Sequence, residues 1–202
     1  MGFKLLAING SLTPPPSRSR ITLDTALAGA RAYDSTVETE VLELREFALD
    51  FCDGRSPDTY GADTRRALAL VEVADAYLVA TPVYRASYTG ALKNFFDLVP
   101  NDPNGSDPLR GKVVGLIATG GSDHHYLVLE HQLRPLFGFF GAHALARAVY
   151  ASSKDFDAQR HVQGKLVDEL AQLGQEVVIQ ARFFSSTSDY FRPTHLRISR
   201  EK

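Results

Sequence analysis

The chain has 202 residues, 44% of them apolar, a formal net charge of −2 and a single cysteine. That length suits one larger domain with a sizeable core, and the scattered Lys and Arg form no basic stripe for nucleic acid or an anionic membrane. No apolar run of about 18 residues offers a membrane span, no leader pattern precedes the strand-like residues from Phe3, and Cys52 has no partner for an internal disulfide; together these features predict a soluble cytoplasmic protein.

Phe3–Asn9 is a short apolar run ending at Gly10, read as a central strand. Gly10–Ser17 is a loop that Pro14–Pro16 should stiffen as polyproline. A helix follows over about Arg18–Tyr33, with Leu23, Ala26, Leu27, Ala30 and Tyr33 on one face. Val37–Leu44 alternates in part and reads as a strand nearer an edge, Arg45–Gly61 is irregular, and Thr64–Ala74 is a helix. Ala76–Ala80 has no polar alternation, as in a strand buried on both faces. It feeds a long polar loop, Thr81–Gly90, and then a helix over Gly90–Leu98. After the turn-rich Asn101–Gly111, Lys112–Thr119 is another doubly buried strand, followed by Gly120-Gly121-Ser122 and a helix to about Phe140. Ala144–Tyr150 is the fifth strand. A last helix spans roughly Asp157–Phe183, with a stripe of Val162, Leu166, Leu170, Leu173, Val177 and Ala181. Residues 1–184 then form one domain and 185–202 a polar tail.

Alternating strands and helices imply a parallel sheet with right-handed crossovers. Five of each in this length fit a flavodoxin-like three-layer α/β sandwich with strand order 2-1-3-4-5. In that order the loops after the first, third and fourth strands meet on one edge. The first carries Ser11, Ser17, Arg18 and Ser19 at a helix start, where backbone N–H groups and hydroxyls suit a phosphate; a plain N-cap by Ser17 or Ser19 explains part of the same pattern. The loop is not a dinucleotide fingerprint, since Asn9-Gly10-Ser11 has one glycine, and the chain has no Walker A loop. The second loop offers Pro82, Val83 and the face of Tyr84, with Arg85, Ala86 and Ser87 beyond. The third, Thr119-Gly120-Gly121-Ser122, lets a flat ring approach backbone that lacks side chains.

These motifs resemble the NAD(P)H-dependent FMN reductases of flavodoxin-like fold, and most of all those that supply reduced FMN to two-component sulfonate monooxygenases. The likeness rests on Gly10-Ser11 with Ser17-Arg18-Ser19, on the run from Thr81 to Lys93, and on Ala118–Ser122, and it spans roughly residues 3 to 150. It implies FMN phosphate on Ser11, Ser17, Arg18 and Ser19, and the flavin ring against Pro82–Ser87 and Thr119–Ser122. Many members carry an Arg two residues after the first Ser; this chain has Thr13 there, and Arg18 stands as its substitute. The chemistry implied is hydride transfer from NADPH or NADH to flavin N5, which needs positioning rather than a side-chain acid or base. No catalytic side chain is therefore assigned, and Arg85 either stabilises reduced flavin or is a solvated surface arginine. The alternatives are a reductase of quinones, azo compounds or metal ions that keeps its FMN, and a flavodoxin-like electron carrier.

The segment after Ser122 contains His124, His125 and His131, with no His pair at metal-binding helical spacing. Gly120-Gly121-Ser122-Asp123-His124 departs from a nucleophile elbow at its fifth residue. Pro135 cannot donate to the His131 carbonyl and crowds it, so a bulge or π-turn is expected at His131. In the resembling subgroup such a π-helix lies at a tetramer interface, which implies a homo-oligomer, dimer or tetramer, with His131 facing a neighbour's flavin. Of Phe137, Phe139 and Phe140, at least two belong in the core, and Cys52, beside Asp53, is structural.

Overall fold

The computed structural model describes residues 2–101 and 107–186. Its strands are β1 (Lys4–Asn9), β2 (Glu38–Glu43), β3 (Ala76–Pro82), β4 (Val113–Thr119) and β5 (His143–Ala151). Its helices are α1 (Arg18–Tyr33), α2 (Ala62–Glu72), α3 (Gly90–Leu98), α4 (Arg134–Phe139) and α5 (Lys165–Ser186). All strand pairs are parallel, in the order β2-β1-β3-β4-β5. This is the flavodoxin-like order expected from the sequence.

The period-two geometry of a strand divides the apolar residues between two cores. Leu5 and Ala7 of β1 join Leu78 and Ala80 of β3 beneath α1 and α5, with Leu27, Leu170 and Val177. Leu6 and Ile8 join Tyr77 and Val79 on the opposite face, with Phe95, Phe96 and Phe137. The Phe96 and Phe137 rings meet edge to face with centroids 5.0 Å apart. Phe137 and Phe140 are buried, as expected of two of the three, whereas Phe139 is 67% exposed. Tyr77 is fully buried and its hydroxyl donates to the Val71 carbonyl at 2.8 Å.

On the first face, α1 and α5 touch backbone to backbone. A Cβ on Gly29 would lie 2.2 Å from the Ala171 carbonyl oxygen, and one on Gly174 would lie 1.8 Å from that of Ala26. Only glycine permits this approach.

Four expected elements differ. The last helix begins at Lys165, because Asp157 accepts from the His161 N–H at 2.7 Å, Arg160 is left-handed (φ 68°), and Val162 pairs with Phe156 in an antiparallel bridge. Val162 therefore belongs to a closed turn, not to the helix stripe. β3 runs two residues further, to Pro82, because Pro82 still pairs with Thr119. The helix expected from Ser122 to Phe140 is broken into a 3-10 turn (Asp123–His125), a π-helical turn (Leu129–Leu133) and α4. The prolines carry a cis Pro15–Pro16 bond in place of continuous polyproline. Beyond Ser186 the expected tail lies outside the described residues.

The π-turn falls where Pro135 predicts it. The Arg134 N–H reaches back five residues to the Leu129 carbonyl, and Pro135 has no N–H to offer His131. Arg134 also stabilises the neighbouring strand. Pairing of β4 with β5 jumps from Val114–Ala144 to Leu116–Ala148, and the Arg134 guanidinium donates to the Leu145 carbonyl at 2.6 Å inside that bulge.

Gly174→Ala is expected to lower stability by roughly 2–3 kcal/mol through overpacking. Gly138→Ala, whose Cβ would meet nothing within 4 Å, should leave stability unchanged or slightly raised. Urea denaturation of the two variants checks the contrast.

Candidate functional site

Parallel strands all deliver their carboxyl ends to one edge, and the crossovers change direction between β1 and β3. The loops after those two strands are pinned to each other there. The Gly10 N–H donates to the Ala80 carbonyl at 2.8 Å, and the Thr89 hydroxyl donates to the Gly10 carbonyl at 2.7 Å. Thr89 also caps α3 by accepting from the Leu92 N–H at 3.1 Å.

In the first loop Ser17 is the N-cap of α1 and accepts from the Arg20 N–H at 3.2 Å. Ser11 accepts from the Thr13 N–H at 3.2 Å. Both serines are almost completely buried, and among the described residues neither hydroxyl donates its proton. Each therefore keeps an O–H to give. The first N–H groups of α1, at Arg18 and Ser19, have no intrahelical acceptor and carry the positive end of the helix dipole. This donor set fits a phosphate.

The other two expected phosphate residues are occupied differently. Ser19 shares a 2.9 Å hydroxyl–hydroxyl bond with Thr119, which ties α1 to the end of β4. Arg18 donates from Nη1 to Ser153 Oγ at 2.8 Å, and its guanidinium lies 5.3 Å from the centre of the Phe156 ring. Arg18 retains further N–H donors, but its direction is set by the segment after β5.

The second loop closes on itself. Tyr84 and Ser87 exchange backbone bonds of 2.8 and 3.1 Å around Arg85 (φ 52°) and Ala86 (φ 64°). Two consecutive left-handed residues make a two-residue hairpin turn of the kind usually built with Asn-Gly. Here neither is glycine, so the turn holds strain of order 1 kcal/mol or more per residue. It is braced on two sides: the Tyr84 hydroxyl lies 3.4 Å from Thr13 Oγ1, and the Ser87 hydroxyl donates to Gln132 of the π-turn at 3.3 Å.

In the third loop the two glycines serve different ends. A Cβ on Gly120 would sit 1.9 Å from the Tyr150 hydroxyl, so this glycine makes room for Tyr150 rather than for a ligand. That hydroxyl donates to the Ser122 carbonyl at 2.6 Å, and burial pushes the phenol's pKa up. Gly121 faces open space. Beside it Asp123 pairs with Lys154, whose bonded ammonium holds the Asp123 carboxyl below the usual range.

Between the second and third loops lies an open cleft of about 800 Å³, with residues 83–86 on one wall and Gly121, Ser122 and His125 on the other. Pro82, Ser87, Thr119 and Gly120 frame it without lining it. The sequence reading missed the turn Ser152–Asp155, which holds Arg18 through Ser153 and Asp123 through Lys154. It also missed Arg160, which donates to the Pro16 carbonyl at 3.0 Å. The only signal available was polar sequence directly after a strand. His131 is exposed at the middle of the π-turn. Cys52 is held at the edge of α3, its N–H donating to Asn94 Oδ1 at 3.0 Å and its thiol to the Asp97 carbonyl at 3.3 Å. Among the described residues no group of three or more metal-ligating side chains gathers, and no helix is long and apolar enough to cross a membrane.

An open parallel sheet with an anion-ready helix start and a cleft at its carboxyl edge defines a flavodoxin-like nucleotide-binding protein. The sequence profile of NADPH-dependent FMN reductases matches residues 3–157. An NAD(P)H-dependent FAD/FMN reductase of Geobacillus thermodenitrificans is 39% identical over 87% of this chain and 92% of its own length. The NADH-dependent FMN reductase SfnF of Pseudomonas putida is 41% identical over 79% of this chain and 82% of its own. Among solved structures, the apo form of an NADH:FMN oxidoreductase (EMOB) superposes with a TM-score of 0.76 at 27% identity, covering 99% of this chain and all of that one. The chain belongs to the NADPH-dependent FMN reductase family. It is an oxidoreductase of flavin and reduced nicotinamide nucleotides.

Gly120→Ala is expected to destabilise the protein by roughly 1–3 kcal/mol. Adding Tyr150→Phe, which removes the clashing oxygen, should recover part of that loss. Thermal unfolding of the single and double variants measures it.

Proposed function

We propose that this chain holds FMN by its phosphate on Ser11, Ser17 and the N–H groups of Arg18 and Ser19. The flavin ring then lies in the cleft between Pro82–Ser87 and Thr119–Ser122. The observation that carries this reading is the cleft itself, which shares a sheet edge with two buried hydroxyls that have protons left to donate. Bound FMN supplies the acceptor for a hydride from NADH or NADPH.

The protein's part is positional. The braced turn at Arg85-Ala86 presents a rigid wall, and the exposed Arg85 brings a positive charge to it. Gly121 leaves the opposite wall open to a second flat ring. No side chain in the cleft is needed as acid or base.

Delivery of reduced FMN to a flavin-dependent monooxygenase in the cytoplasm is supported by the resemblance to the reductases of sulfonate monooxygenase systems. A homo-oligomer, dimer or tetramer, is supported by the exposed apolar Tyr126, Leu127 and Phe139 on the same segment as the π-turn. In that assembly His131 faces the flavin site of a neighbouring copy.

Purified protein given NADH or NADPH under air should oxidise the nucleotide at a rate that rises with added free FMN, followed by loss of reduced-nicotinamide absorbance. A rate indifferent to free FMN would replace flavin supply with a reductase that retains its FMN and passes electrons to another acceptor.

A further inference from the structure

Beneath the first loop lies a polar chain that a phosphate cradle does not obviously require. Glu43, the last residue of β2, is buried, and both of its carboxylate oxygens accept bonds. Oε2 accepts from Asn9 Nδ2 at 2.8 Å, and Oε1 accepts from Arg20 Nη1 at 2.6 Å. Asn9 is 1% exposed and turns its other side-chain atom upward, where Oδ1 accepts from the Ser11 N–H at 3.1 Å. Its Nδ2 also approaches Ser17 Oγ at 3.4 Å. Glu43 thus sets the orientation of Asn9, and Asn9 touches both hydroxyl residues of the loop.

This arrangement carries an electrostatic cost. A buried carboxylate one side chain below an anion site repels the anion, and low-dielectric surroundings strengthen that repulsion. Arg20 offsets it. Its guanidinium binds Glu43 on one side and Asp24 on the other, at 2.9 Å, in the first turn of α1.

Resting on the FMN reading above, we propose that Glu43 and Arg20 are a positioning pair for the flavin phosphate. Glu43, through Asn9, holds the loop in its binding shape, and Arg20 cancels the Glu43 charge so that a dianion can sit above it. Neither residue touches the flavin. Arg20 is needed for its charge as much as for its bond.

The test compares FMN with riboflavin, which has the same ring and no phosphate. Their dissociation constants are measured by flavin fluorescence quenching in wild type, Arg20→Met, Glu43→Gln and the double variant, each checked for folding by circular dichroism. Arg20→Met strands the carboxylate, so FMN binding should weaken on the order of tenfold while riboflavin binding holds. Because the carboxylate is buried, the loss should change little with added salt. The double variant, which removes both charges, should recover much of the FMN preference. Equal weakening of FMN and riboflavin in Arg20→Met, or no recovery in the double variant, would overturn the pairing and leave a plain structural contact. Failure of the phosphate reading looks different: wild type itself would then bind riboflavin as tightly as FMN. If Arg20→Met misfolds, Glu43→Gln decides: Gln can still accept from Asn9 while the negative charge is gone, so FMN should bind tighter relative to riboflavin, and an unchanged or lower preference would overturn the pairing.

Discussion

β3 is buried on both faces and lies between β1 and β4, so most of its backbone donors and acceptors pair with those two strands. The loop that leaves β3 must therefore emerge between theirs. Burial of one strand thus brings three distant loops together, and the bonds Gly10 N–H to Ala80 and Val83 N–H to Thr119 carry that pairing a residue beyond the strands themselves. The site is an extension of the sheet's hydrogen bonding into its loops.

Polar cross-links then remove the freedom those loops would otherwise have. Thr89 joins the second loop to the first, Ser19 and Thr119 join the first to the third, and Ser87 reaches the π-turn. Most of these hydroxyls are buried, where a hydrogen bond left unmade costs more than a made one contributes. Such bracing explains how a left-handed pair built from Arg85 and Ala86 persists. The surrounding bonds hold a conformation that neither residue prefers.

Where pattern reading succeeded, the cause was local. The unbroken apolar runs at Leu5–Ile8, Ala76–Ala80 and Val113–Ala118 report burial on both faces directly. Pro135 announces the π-turn at His131 because a missing N–H acts on the residue four positions back. Where it failed, an equally local signal was outweighed by something distant. Val162 has helical spacing with Leu166, but the turn closed by Asp157 and His161 draws it into a pairing with Phe156. Gly120 and Gly121 are identical in sequence, and only the arrival of Tyr150 from β5 tells them apart.

Local pattern along the chain set the layers, the strand order and the loops that carry the site, because periodicity, breakers and handedness act over a few residues. It also determined which loop has hydroxyls at a helix start. Folding alone decides how these groups are engaged: among the described residues the Ser11 and Ser17 hydroxyls only accept, whereas Ser19 shares a hydroxyl–hydroxyl bond with Thr119, a hundred residues away, and Arg18 is turned toward Ser153, 135 residues away. It alone also placed the carboxylate of Glu43 beneath the first loop with Arg20 against it. A hydrogen bond depends on where two groups meet in space, and nothing in the residues flanking one partner names the other.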